Sequence, residues 1–218
     1  MKNYDVIAFD LDGTLSDPSA GLIEAYIYGF ERMGIENYGD KQSLRRYIGP
    51  PVYDEWKRDF NLTDEEAKKL LAYFREYYEV YGWWDNKLYE GIVDVLSELR
   101  AAGKKLILAT SKPERTANRV VNFFDVAKYF DFIGASVDHV RDKKWQVLDY
   151  ALNSVGCKDR SRAVMVGDRK YDKEGAELCG IDSLGVLYGH GTREEIDAAG
   201  FEYIAENVSD ITRILLAK

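Results

Sequence analysis

The apolar residues of the chain change their spacing twice. Residues 4–9 (Tyr-Asp-Val-Ile-Ala-Phe) form a nearly unbroken apolar run, the pattern of a strand buried on both faces of a parallel sheet. Between Asp17 and Trp84 the spacing becomes helical. Ile23, Ile27 and Phe30, with Tyr26 and Met33, recur at helical intervals, and Gly34 closes that helix. Shorter helices are predicted over 41–47 and 52–60, separated by Ile48-Gly49-Pro50-Pro51, because successive prolines cannot continue a helix. Thr63-Asp64-Glu65-Glu66 has capping-box spacing and opens a helix to about Tyr81, with Leu70, Leu71, Phe74, Tyr77 and Tyr78 on its apolar side. No strand pattern interrupts this stretch. Beyond Lys87 the two patterns alternate. Helices are predicted over 91–102, 113–124, 143–155, 172–179, 193–199 and 208–217, and strands over 105–110, 132–135, 163–166, 183–187 and 203–205. Alternation of this kind builds an α/β fold, a doubly wound parallel sheet. The prediction is therefore a core domain of residues 1–16 and 86–218, with a small all-helical domain over 17–85 inserted after the first strand. Ser16–Pro18 is read as a turn and helix start, and 85–87 as the return link. Two such links would let the insert hinge over the sheet's carboxyl edge.

The first strand ends in Asp10-Leu11-Asp12-Gly13-Thr14. Residues two apart on an extended backbone point the same way, so Asp10 and Asp12 leave the carboxyl end of the strand together, where open α/β sheets bind ligands. Gly13 permits a sharp turn or a close approach. Two neighbouring carboxylates repel, and a hard divalent cation such as Mg²⁺ is the simplest way to keep both ionised. A turn with capping carboxylates is the simpler alternative for this segment alone.

Three further groups of polar residues fall at strand ends or helix starts. Thr110-Ser111-Lys112-Pro113 puts hydroxyls before a helix, as an anion site or as a cap through Ser111. Gly167-Asp168-Arg169-Lys170-Tyr171-Asp172 puts two carboxylates on a loop into a helix, where they would hold a hard cation, with Asp172 also a candidate helix cap. Arg141-Asp142-Lys143-Lys144 opens a helix with cations, against its dipole, which points to an anion nearby or to a solvated basic surface. His139 and His190 have no partner pattern and read as structural or surface residues.

Composition narrows the function. The net charge of −8 argues against broad binding of nucleic acid or anionic membrane, while leaving room for a small anionic substrate beside a metal. The two cysteines, Cys157 and Cys179, lack metal-ligand spacing and read as reduced thiols. No run reaches the length of a membrane span. Met1-Lys2-Asn3-Tyr4 leads straight into a strand, so no signal peptide is expected and the expected location is cytoplasmic.

In this order, the four groups resemble the motifs of the haloacid dehalogenase superfamily of phosphohydrolases, whose core is a Rossmann-like sheet. The resemblance runs the length of the chain. Asp10-x-Asp12-Gly13-Thr14 is similar to the first motif, Thr110/Ser111 to the second, Lys144 with its helix to the third, and Gly167-Asp168-x-x-x-Asp172 to the fourth. The insert resembles the helical cap of one large subgroup. Residues 185–191 with Glu194-Glu195 resemble phosphoglycolate phosphatases. Residues 46–51 and the Asn86-to-Gly91 segment look more like a 5'-nucleotidase branch. The resemblance implies a phosphomonoesterase acting on a small phosphorylated metabolite. Asp10 would be the nucleophile that forms an aspartyl-phosphate, and Asp12 the acid and then the base. Mg²⁺ would sit on Asp10, the Asp12 backbone carbonyl and Asp168, supported by Asp172. Gly13, Thr110 and Ser111 would bind phosphate, and Lys144, in preference to Lys143, would supply a point charge. In the cap, Arg45, Arg46 and Gly49 are the candidates for substrate choice, with solvated arginines the plainer alternative. A sugar-phosphate mutase on the same fold and a phospho-accepting regulatory module are the competing functions. The sequence leaves the substrate and the oligomeric state open.

Overall fold

The computed structural model of the protein describes residues 2–49 and 52–217. In chain order its elements are β1 (Val6–Phe9), β2 (Ser16–Asp17), α1 (Ser19–Met33), α2 (Val52–Asp59), α3 (Asp64–Tyr77), β3 (Lys87–Leu88), α4 (Ile92–Ala101), β4 (Lys105–Pro113), α5 (Glu114–Phe123), β5 (Phe132–Ser136), α6 (Lys144–Ser154), β6 (Ala163–Gly167), α7 (Lys170–Cys179), β7 (Asp182–Val186), α8 (Arg193–Ala199), β8 (Tyr203–Ala205) and α9 (Asp210–Leu215). The chain divides into two compact units, Asp17–Lys87 and the remainder.

The larger unit is built on a six-stranded sheet in the order β5-β4-β1-β6-β7-β8, with every adjacent pair parallel. This is the expected α/β doubly wound architecture. β1 is central. Val6 and Ala8 on one face pack with Ile107, Ala109 and Met165 against Val147, Leu148, Ala151 and Leu152 of α6 and Ala176 of α7. Ile7 and Phe9, on the other face, are fully buried as well. Burial on both faces explains the unbroken apolar run, and Val6, Ile7 and Phe9 each contribute about 1.5–3 kcal/mol by it.

Several boundaries differ from the sequence reading. β4 runs on to Pro113, with a register shift against β5 between Thr110 and Pro113, so Ser111 lies in an irregular strand end and not at a helix start. α7 begins at Lys170 rather than 172, because Asp172 Oδ2 accepts a hydrogen bond from the Arg169 N–H (3.0 Å) from within the first turn. Ser16 and Asp17, read as a turn, form the short strand β2, which belongs to a two-stranded sheet with β3.

The smaller unit is helical apart from those short strands. α1 ends at Gly34 in the left-handed conformation (φ 69°), and Thr63 and Glu66 form the expected capping box of α3. The predicted helix over 41–47 is a five-residue 3₁₀ segment, Ser43–Tyr47. The helix predicted to about Tyr81 leaves α geometry after Tyr77 and widens into a π turn over Tyr78–Gly82. There the Gly82 backbone meets α1 so closely that a Cβ on Gly21 would lie 1.9 Å from Gly82 O. The core of this unit is aromatic. Trp56 is fully buried, with Tyr26, Phe30, Tyr47 and Phe74 at ring-centroid distances of 5.5, 5.7, 6.3 and 5.8 Å. Pro50 and Pro51 of the expected break lie outside the described residues.

Candidate active site

The site of the larger unit forms where β1, β4 and β6 end. Asp10 follows β1, and its N–H donates to Val166 O of β6 (2.9 Å). Asp168 follows β6, and Asp172 lies in the first turn of α7. These three carboxylates are buried, and their oxygens lie within 4.8 Å of one another. Burial pushes Asp168 well above the usual carboxylate range, and repulsion from Asp172 and Asp10 adds to it. Burial also raises Asp172, to about 6, against the pull of Lys144.

Lys144 at the start of α6 is buried, its Nζ 2.8 Å from Asp10 Oδ1 and 2.7 Å from Asp172 Oδ1. Burial lowers its pKa, but the two carboxylates outweigh that and hold it above its ordinary value. The choice between the two lysines is geometric. Lys143 is exposed at the N-cap position, its N–H donating to Gln146 Oε1 (3.0 Å), while Lys144 opens the helix facing the carboxylates. Cations at this helix start, unfavourable for the helix itself, are thereby matched by buried anions.

Asp12 does not join the trio. Its Oδ2 accepts a hydrogen bond from Lys112 Nζ at 2.6 Å. Burial raises the Asp12 pKa, with Lys112 working against it. The two carboxylates of the first strand are thus separated onto two different ammonium groups. Lys112, in the irregular end of β4, was missed as a site residue. Its signal was present, since Thr110 and Lys112 stand two apart on an extended strand, as Asp10 and Asp12 do.

Gly13 turns the chain with φ at +82°, and a Cβ there would lie 2.1 Å from Asp168 Oδ2. Asp168 Oδ1 accepts from Thr14 Oγ1 at 3.5 Å, and Oδ2 from the His190 N–H at 2.7 Å. Tyr188 OH donates to Thr14 O (2.9 Å). The loop after β7 therefore clasps both the Gly13 turn and Asp168. A Cβ on Gly191 would meet Asp168 O at 1.9 Å, so the loop has no room for one. His190, read as structural, serves the site through its backbone. Glu195 steadies the neighbouring loop, its Oε1 accepting from Arg169 Nε and from the Lys170 N–H, both at 2.9 Å.

Thr110 is buried, and its Oγ1 accepts from the Lys112 N–H at 3.2 Å. Ser111 is half-buried, and it does not cap α5, whose N-cap is Pro113 without a side-chain bond. Asp172 is likewise not the N-cap of α7 but its third residue, whose Oδ2 accepts from the N–H of the N-cap, Arg169. Arg45, Arg46 and Gly49 belong to the helical unit. Arg45 Nη1 donates to Ser19 Oγ (3.2 Å), and its Nη2 lies 3.6 Å from Asp17 Oδ2. Arg46 Nη2 donates to Tyr47 OH (2.8 Å) and lies 3.4 Å from Asp59 Oδ2, with the guanidinium over the Tyr47 ring. Gly49 has φ at +104°.

Asp10, Asp168 and Asp172 fit a hard divalent cation. Three carboxylates facing one ammonium leave an excess of two negative charges in a dry pocket, and carboxylate oxygens are the ligands such ions take. Burial, and after it repulsion from Asp172 and Asp10, raises the Asp168 pKa in the same place.

The sequence profile described as haloacid dehalogenase-like hydrolase matches residues 7–186. The chain belongs to that family. Among its relatives is the tyrosine-protein kinase PtkA of Mycobacterium tuberculosis, 38% identical over 90% of this chain and 66% of that protein; the chain thus spans just under two thirds of that relative's length. The 5'-nucleotidase of Pseudomonas aeruginosa is 30% identical over 97% of this chain and 96% of its own. The crystal structure of a predicted phosphatase from Clostridium acetobutylicum superposes with a TM-score of 0.93 at 35% identity, covering 100% of both chains. The α/β sheet and the hydrolase class are common to this family. Among the described residues no helix is long and apolar enough to cross a membrane.

Proposed function

We propose that this hydrolase is a Mg²⁺-dependent phosphomonoesterase that releases phosphate from a small phosphorylated metabolite through an aspartyl-phosphate on Asp10. The observation that carries the reading is the buried Asp10–Asp168–Asp172 cluster with Lys144 Nζ 2.8 Å from Asp10 Oδ1. A nucleophilic carboxylate must meet a phosphate dianion, and only concentrated positive charge overcomes that repulsion.

Asp10, Asp168 and Asp172, with the Asp12 backbone carbonyl, would hold the cation. When bound, Mg²⁺ supplies charge that binds the phosphoryl oxygens and screens them from the nucleophile. Lys144 orients the Asp10 carboxylate and adds a point charge on the phosphate side. Asp10 attacks phosphorus. Asp12 gives its proton to the departing alcohol, and its carboxylate then takes a proton from the water that cleaves the aspartyl-phosphate. Burial raises the Asp12 pKa, which favours the protonated form that the first step needs. Thr110, Ser111 and the Gly13 turn line the phosphate side. The loop after β7 holds Asp168 in place.

The helical unit is assigned substrate choice, through Arg45 in particular. Arg46 is engaged by Tyr47 and Asp59, with its guanidinium over the Tyr47 ring, a structural employment, whereas Arg45 rests on Ser19 Oγ and on Asp17 at the longer distance of 3.6 Å. Arg45→Ala is expected to reorder substrates, and Arg46→Ala to lower stability with the ranking unchanged.

The test is a phosphate-release screen with Mg²⁺ over p-nitrophenyl phosphate, 2-phosphoglycolate, nucleoside 5'-monophosphates and sugar phosphates, with an EDTA control and the Asp10→Asn variant. Release that EDTA and Asp10→Asn both abolish, with circular dichroism unchanged, supports the reading. Full activity in Asp10→Asn overturns it. A phosphoryl group returned to the sugar instead of to water would mark the mutase alternative.

A further inference from the structure

We infer that Lys112 is a positioning residue that acts through Asp12, pinning Oδ2 so that Oδ1 faces the leaving oxygen of the substrate. The inference rests on the phosphatase reading above and deepens it.

Lys112 is placed for this by the irregular end of β4. The register shift leaves Ser111 and Lys112 as two extra residues between the Thr110–Ala135 and Pro113–Ser136 pairs with β5, and irregularities of this kind re-aim a side chain. The Lys112 N–H, bonded to Thr110 Oγ1 at 3.2 Å, fixes the backbone at that point. The Lys112 side chain is 4% exposed, and a lysine is seldom buried unless its charge is met. Its Nζ lies 2.6 Å from Asp12 Oδ2. The second oxygen is the telling one. Asp12 Oδ1 is buried and has no hydrogen-bond partner among the described residues. An oxygen desolvated in that way costs stability unless something it serves comes to it. Lys144 does not fill the gap, being engaged by Asp10 and Asp172. Two lysines thus divide two neighbouring carboxylates. Lys144 serves the nucleophile, and Lys112 leaves one oxygen of the acid free in a fixed direction.

In the step concerned, the bond from Asp10 to phosphorus forms as the bond from phosphorus to the alcohol oxygen breaks. The proton on Asp12 Oδ1 passes to the departing oxygen, and Asp12 is left as a carboxylate on Lys112. A poorly oriented Asp12 harms this step only to the extent that the leaving group needs its proton. An alkoxide needs it, whereas p-nitrophenolate departs without it.

The experiment compares wild type, Lys112→Met, Lys112→Arg, Asp12→Asn and the Asp12→Asn/Lys112→Met double variant in single turnovers with Mg²⁺. One substrate is p-nitrophenyl phosphate and the other is the alkyl ester that the wild type cleaves fastest. Single turnovers confine the reading to the first step. Lys112→Met is expected to lose about 30-fold or more on the alkyl ester and less than about fivefold on p-nitrophenyl phosphate, a part of the roughly 100- to 10,000-fold that a general acid supplies, since the variant misplaces Asp12 without removing it. The double variant should be no slower on the alkyl ester than Asp12→Asn alone, since groups that act as a unit are not additive. Lys112→Arg, which keeps the cation, should recover most of the alkyl-ester rate, and it reports the role even where Lys112→Met folds poorly. Equal losses on both esters, or additive losses in the double variant, would overturn the inference and leave the phosphatase reading standing. A wild type that cleaves neither ester overturns both.

Discussion

Gly13 and Asp168 lie in such close contact that a single methyl group would not fit between them: a Cβ on Gly13 would sit 2.1 Å from Asp168 Oδ2, on a backbone whose φ is +82°. The turn after the first strand and the carboxylate after the fourth-motif strand are thus one packed unit, separated by more than 150 residues of chain and joined by adjacent parallel strands. Gly13→Ala is expected to cost about 1–3 kcal/mol through left-handed strain alone, and to lower phosphate release at least about tenfold by displacing Asp168. Thermal unfolding and steady-state assays on the same preparation check it. Unchanged activity would show that Asp168 tolerates the shift.

Cation binding should be visible without any substrate. An ion that binds the Asp10–Asp168–Asp172 cluster only in the folded protein stabilises it by mass action, by about 2.7 kcal/mol at a hundredfold excess over Kd. For a chain of this length that is a rise in Tm of roughly 5–10 °C. Mg²⁺ titrated into EDTA-treated protein should give the shift, and Asp168→Asn should abolish most of it. A wild-type Tm indifferent to Mg²⁺ would count against the metal site.

Trp56 is the keystone of the aromatic core in the helical unit, fully buried among Tyr26, Phe30, Tyr47 and Phe74. Trp56→Ala should cost about 3–5 kcal/mol in denaturant unfolding. Trp56→Phe should cost less than half of that. It keeps most of the packing, and it removes a buried indole N–H that has no hydrogen-bond acceptor among the described residues.

Glu202 gives a pH-dependent stability away from the site. Burial pushes its carboxyl up, but Lys173 and the Ser183 hydroxyl and N–H outweigh that and hold it below its ordinary value of 4.5. The unfolded chain therefore binds this proton more tightly. The stabilisation is fully present above about pH 4.5 and drains away as pH falls through the folded value. Glu202→Gln should melt roughly 2–4 °C below wild type at pH 7, and the two curves should converge as pH falls through the folded value.

Much of this arrangement is readable along the chain. Strand β1 announces itself by an apolar run, because a central parallel strand is wet on neither face, and α3 by its Thr63–Glu66 capping box, because helix ends must satisfy their own N–H groups. The alternation after Lys87 and the Asp10-x-Asp12-Gly13 turn are local in the same sense, since each follows from residues within a few positions of one another. Such periodicities place carboxylates at strand ends and so indicate where chemistry collects.

The local pattern does not say which charged groups meet. Asp12 takes Lys112 as its partner 100 residues away because β1 lies beside β4 and β4 continues irregularly past Thr110. Lys144 rather than Lys143 faces Asp10 because α6 begins one residue later than its basic run suggests. The backbone of Tyr188–Gly191 closes on Asp168 because β7 lies beside β6. The sequence alone determined the main helices, the strands of the large sheet and the edge at which they converge, since hydrophobic burial and helix capping act over a few residues. Only the tertiary structure decided the pairing of two acids with two lysines. Ion pairing acts through space, and the distances that matter exist only after strands far apart in sequence have taken their register.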